Sequence, residues 1–167
     1  MFFNPLAILV STLVPLVVGT IWYNQRVFGK AWMEATGMTE EKAKEANMVK
    51  ILGLSLVFSF FLTLVMHMLT IHQLHFQSVL VNEPGFGKKG SEIMVYIAAY
   101  MKKYGSHFRT FKHGAFHGFV ASVLLVLPIL GTHALYEQRK WKYIAINWGY
   151  WAVNFMIMGG IISGWPK

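Results

Sequence analysis

Six of the seven histidines fall between positions 67 and 117: His67, His72, His75, His107, His113 and His117. The 167-residue chain has no Cys and no Asp, so imidazole is its main metal-binding side chain. Glu83 and Glu92 are the only carboxylates in the same stretch. His72 and His75 are spaced i, i+3, and His113 and His117 are spaced i, i+4, so each pair shares one face of a helix. Two such pairs on antiparallel helices can converge on one metal inside a bundle. Imidazole suits zinc, copper, nickel and iron. A haem held between His67 and His117 is a second candidate, because haem iron takes axial His. His67 sits well inside an apolar run, where an ionisable group is a functional candidate by default. Thiol nucleophiles, disulfides and Ser-His-Asp chemistry are excluded by composition.

The elements that would carry these residues are membrane helices. Hydrophobic residues make up 55% of the chain and charged ones 13%. Four long uncharged runs approach the ~20 residues that cross a bilayer. The expected fold is all-α, a four-transmembrane-helix bundle in one domain spanning 1–167. Its helices are expected at about 5–23, 46–81, 112–136 and 143–165, the last ending at Pro166. Asn4 is a good cap for the first, with Pro5 at its first position. Pro15 and Pro128 should kink the first and third helices. Nothing breaks the second helix between Gly53 and Pro84, so it is expected to outrun the membrane. After the Asn82–Gly90 loop, Ile93, Ile97, Tyr100 and Tyr104 form a stripe. They predict a short amphipathic helix at the interface.

The net charge is +8, with the basic residues between the apolar runs. That distribution indicates contact with lipid headgroups, not nucleic acid. Arg26, Lys30, Arg139, Lys140 and Lys142 favour a cytoplasmic side for the first and last connections, with both termini outward. Pro15…Tyr23-Asn24-Gln25-Arg26 matches Pro128…Tyr136-Glu137-Gln138-Arg139. This raises the alternative of a duplicated helix hairpin.

Two further patterns lie on the fourth helix. Asn147, Tyr150 and Asn154 form one polar stripe, suited to interhelical hydrogen bonding or to lining a ligand path. Gly160-x-x-x-Gly164 and Gly159-x-x-x-Ser163 are small-residue spacings that let helices approach closely, within the fold or in a dimer. The His-x-x-His and His-x-x-x-His spacings resemble the boxes of membrane fatty-acid desaturases and hydroxylases, but a third box is absent.

Trp22-Tyr23-x4-Phe28-Gly29-Lys30-x-Trp32 follows directly on the first helix. With His117-Gly118, Asn147-x-Gly149-Tyr150 and Met158-Gly159, it resembles a bacterial family of small four-helix membrane proteins catalogued as a domain of unknown function. The resemblance covers nearly the whole chain. It implies four spans in a bacterial membrane and brings no activity, cofactor or catalytic residue. Trp22, Tyr23, Lys30 and Trp32 are expected to anchor at headgroup depth. The resulting reading is a non-enzymatic scaffold or accessory subunit of the bacterial inner membrane, packing with itself or another membrane protein. The alternatives are a His-coordinated metal or haem protein and an oligomeric small-molecule or lipid carrier.

Overall fold

The computed structural model describes residues 3–165, and no strand occurs among them. Pro166, the expected stop of the last helix, lies outside the described residues. Helix α1 spans Pro5–Trp22. The Asn4 side chain accepts from Leu6 N and Ala7 N at 3.1 and 3.2 Å, satisfying two N–H groups that the helix leaves free. The charged segment after it forms two short helices, α2 (Gly29–Thr36) and α3 (Glu40–Lys44). Gly29 makes the turn into α2 possible, because a Cβ there would lie 2.4 Å from the Tyr23 carbonyl oxygen.

The long second helix is broken. Helix α4 covers Met48–Thr70 and α5 covers His72–Ser78, with Ile71 in a non-helical conformation between them. Neither Gly nor Pro marks the break. Tertiary hydrogen bonds hold it open: Gln73 Nε2 donates to the Tyr104 and His107 carbonyls at 3.1 and 2.9 Å. The freed Met68 carbonyl takes the His75 ring at 2.9 Å. Helix α6 (Glu92–Tyr104), capped by Ser91, is joined to α5 by a stacked Phe76–Tyr100 pair, 3.7 Å between centroids.

The third helix runs as α7 (Phe111–Ala121), a π-helical turn (Ser122–Val126) and α8 (Leu127–Tyr136). Pro128 lacks an N–H, and the wide turn before it shifts the hydrogen-bond register. The Ser122 carbonyl takes the Leu127 N–H across that turn and also the Trp148 indole at 3.1 Å. Helix α9 (Trp141–Gly164) is the hub, in contact with α1, α2, α4, α7 and α8. The paired tyrosines of the possible duplication have opposite fates. Tyr23 bonds α9, while Tyr136 is 88% exposed, and Pro15 has no π turn beside it.

Three helices are long and apolar enough to cross a membrane: Pro5–Trp22, Met48–Thr70 and Phe111–Tyr136. Their outward faces carry large exposed apolar residues, such as Leu9, Leu13, Val17, Phe58, Phe61 and Val65. An apolar exterior of this extent is suited to lipid tails. The expected fourth span, α9, has the length but not the apolar content, because Asn147, Asn154 and its aromatic and glycine residues dilute it.

Candidate functional site: a three-histidine cluster where α5 meets α7

Thr110 caps α7, its hydroxyl accepting from His113 N at 3.2 Å, so His113 lies in the first turn and His117 one turn further. His72 is the first residue of α5, just past the break. The three imidazoles meet. His72 Nε2 and His113 Nε2 are 2.9 Å apart, and one ring nitrogen from each of the three lies within 4.8 Å of the others. Ring centroids are 4.5 Å (His113–His117), 4.9 Å (His72–His117) and 5.1 Å (His72–His113) apart. All three are partly open to the surroundings. Burial, with His113 and His75 nearby, holds His72 below the ordinary imidazole pKa, in the neutral form that a metal requires. A tetrahedral ion with bonds of ~2.0–2.1 Å wants its ligand nitrogens ~3.3 Å apart. Modest side-chain rotations separate that arrangement from the one observed.

The surrounding residues hold the cluster in place. Phe108 adopts φ +62° and lays its ring 5.0 Å from His113 and 6.0 Å from His72. A non-glycine residue in this left-handed region is strained unless its surroundings enforce it. Here Ser163 Oγ donates to the Phe108 carbonyl at 3.1 Å, and Arg109 Nε donates to the Ser163 carbonyl at 3.1 Å. These bonds tie the 105–110 loop to the end of α9, and the Gln73 amide ties α5 to the same loop.

The His113–His117 face is one side of α7, and the Gly114–Gly118 face is the next. A Cβ on Gly114 would lie 2.0 Å from the Gly159 carbonyl oxygen, and one on Gly118 would lie 2.0 Å from that of Phe155. Backbone-to-backbone contact with α9 therefore sets where the two imidazoles stand. Gly114-x-x-x-Gly118 was readable as a small-residue spacing, but Gln73, Phe108 and Arg109 carry no local signal. The small residues in the last turns of α9, from Gly159 to Gly164, turn toward this contact. Gly159 meets Gly114, Gly160 meets the Phe111 ring, Gly164 meets the Phe111 backbone, and Ser163 binds the loop.

Of the four expected metal ligands, His75 is excluded from the group, because the break at Ile71 turns its ring back to Met68. His67, the expected haem partner of His117, is buried in α4 beside Phe3 and is not a member of the triad.

The polar stripe on α9 is used in packing. Asn147 Oδ1 accepts from Tyr23 OH and Trp32 Nε1, each at 3.2 Å. Tyr150 OH donates to the Pro15 carbonyl at 2.8 Å, and Asn154 Nδ2 donates to the Tyr150 carbonyl at 2.8 Å. Trp22 Nε1 reaches the Ile146 carbonyl at 3.1 Å. Trp22, Tyr23 and Trp32 thus bond α9 instead of headgroups, and of the four expected anchors only Lys30 is exposed. Burial raises the Tyr23 phenol far above its ordinary pKa, so it remains a donor.

No curated protein and no solved structure matches this chain. A family model described as "Protein of unknown function (DUF1761)" matches residues 6–163, and the chain belongs to that family.

Proposed function

We propose that this protein is a multi-pass protein of the bacterial inner membrane that binds one transition-metal ion through His72, His113 and His117. The observation that carries this reading is the convergence of three imidazoles from two separate helices within 4.8 Å. Three imidazole nitrogens suit zinc or copper and leave a fourth position for water or another donor. The group consists of imidazole alone, with no carboxylate to act as a base beside the metal, which supports binding over catalysis. In this reading α9 is the fourth span, its polar groups tolerated because α1, α2 and α7 satisfy or cover them.

A scaffold role has less support. The small-residue face of α9, which would have served self-association, is covered by α7. Packing with a second copy or another membrane protein would use the outer face of α4 instead.

Protein purified in mild detergent and dialysed against zinc is expected to retain about one equivalent per chain. His113→Ala and His72→Ala should each abolish that retention, while His75→Ala and His67→Ala keep it. Elemental analysis reads the result, and cobalt substitution should give visible bands in the wild type alone among the first three. Absence of stoichiometric metal, or its retention in His72→Ala and His113→Ala, would overturn the reading.

The chain has no cysteine, so its topology can be mapped with single introduced thiols. With the basic 24–47 and 137–142 segments inside, Lys88→Cys should react with an impermeant maleimide in spheroplasts and Lys140→Cys only after lysis. The reverse pattern would place the histidine triad on the cytoplasmic side.

A further inference from the structure

His72 reaches His113 and His117 only because the helix stops one residue before it. Ile71, at φ −109° and ψ 88°, separates α4 from α5, and His72 is the first residue of α5. In a continuous helix the Met68 carbonyl would accept from the His72 N–H, and His72 and His75 would share one face. Instead that carbonyl takes the His75 ring at 2.9 Å, while His72 Nε2 lies 2.9 Å from His113 Nε2. The break therefore decides which histidine completes the triad.

The residue that holds the break is next in the chain. Gln73 is 5% exposed, and its amide donates to the Tyr104 carbonyl at 3.1 Å and the His107 carbonyl at 2.9 Å. Tyr104 is the last residue of α6, so its carbonyl is one of those that a helix leaves free. Gln73 Oε1 is buried with no partner among the described residues. A buried acceptor left unpaired costs about as much as two donated bonds return, so this glutamine adds little net stability. What it adds is direction, because it fixes α5 against the end of α6 and aims His72 at α7. Phe76, further along α5, stacks on Tyr100 at 3.7 Å between centroids, so α5 and α6 are joined at two points.

We infer that Gln73 is the positioning residue of the three-histidine site and that α6 controls the metal affinity of that site through it. This rests on the metal site proposed above. Metal binds the bent arrangement, in which His72 faces His113. A displacement of α6 that frees the Gln73 amide lets α5 turn away, and the apparent affinity falls with the share of chains still bent. The coupling is reciprocal, so a bound metal holds α6 in place.

The test uses Gln73→Met, which keeps the side-chain length and removes both donors and the unpartnered oxygen. Tyr100→Ala removes the stack without touching a ligand. Zinc affinity, read by competition with a fluorescent chelator, should fall about tenfold in Gln73→Met and by a smaller factor in Tyr100→Ala. Metal-free Gln73→Met should melt within about 3 °C of the wild type, which separates positioning from structural support. The bend is read without metal, from the distance between spin labels at Phe61→Cys and Val79→Cys, both exposed positions. On a straight helix these backbones stand about 27 Å apart. The wild type should give a shorter distance, and Gln73→Met should shift it toward the straight value. Unchanged zinc affinity in both folded variants would overturn the inference. So would a label distance that Gln73→Met leaves unaltered, even in a protein that binds no zinc. Absence of zinc from a wild type with the expected distances would instead defeat the metal site alone. If Gln73→Met does not fold, Tyr100→Ala decides by the same two readings.

Discussion

Replacing Gly118 by alanine is expected to detach α7 from α9 and unfold the bundle. The added methyl would sit 2.0 Å from the Phe155 carbonyl oxygen and 2.4 Å from its carbon. Both atoms belong to the backbone of the central helix, so no rotamer change relieves the overlap. Either α7 moves outward along its length or α9 bends. Overpacking in a well-packed core costs about 1–3 kcal/mol when side chains can yield, and a backbone clash belongs at or above the top of that range. Gly114→Ala should behave alike, with its methyl 2.0 Å from the Gly159 carbonyl oxygen. Gly131→Ala and Gly53→Ala are the controls. A Cβ at either meets nothing within 4 Å, and the substitution there should be neutral or stabilising by up to about 1 kcal/mol. Thermal melting in detergent separates the two classes, and equal melting of Gly118→Ala and Gly131→Ala would refute the packing account. Gly160→Leu with Gly164→Leu should likewise unfold the protein instead of merely separating copies, because both glycines face Phe111 of the same chain.

The second large effect is expected at Asn147, which joins three elements through one oxygen. Asn147→Leu removes the acceptor shared by the Tyr23 hydroxyl and the Trp32 indole. Each half-buried donor left unpaired costs about 1–3 kcal/mol, toward the lower end where water reaches the membrane boundary. A total near 2–3 kcal/mol follows, with α2 loosened from α9. Asn154→Leu is the contrasting change at the far end of the same stripe. The Asn154 side chain is fully buried and its Oδ1 has no partner among the described residues. Removing it relieves an unsatisfied acceptor, so the cost should stay below about 1 kcal/mol. Melting temperatures of the two variants, with tryptophan fluorescence reporting on Trp32, provide the measurement. A larger loss for Asn154→Leu than for Asn147→Leu would contradict this assignment of roles.

The helices were legible because their causes are local. Asn4, Thr39, Ser91 and Thr110 cap helices by contacts two or three residues away. The apolar runs follow from composition. The i, i+4 relation of His113 and His117 is a property of any helix. The membership of the histidine cluster was not legible. The spacing of His72 and His75 implies a shared face only while one helix continues through them. The break at Ile71 has no sequence mark, because its cause is the Gln73 amide bonding carbonyls more than thirty residues away.

The same division holds for the aromatic residues and glycines. Trp22, Tyr23 and Trp32 have the types and positions of headgroup anchors, and Gly159, Gly160 and Gly164 those of an association face. Residue type establishes that an indole seeks a partner and that a glycine permits close approach, and that much the sequence determined alone, together with the helices and the bias toward lipid. Which partner each one meets depends on the order in which helices pack around α9. That order is set by long-range shape and hydrogen-bond complementarity, which no local spacing encodes, so only the tertiary structure turned the indoles inward, closed α7 over the glycines and brought His72 to His113 and His117.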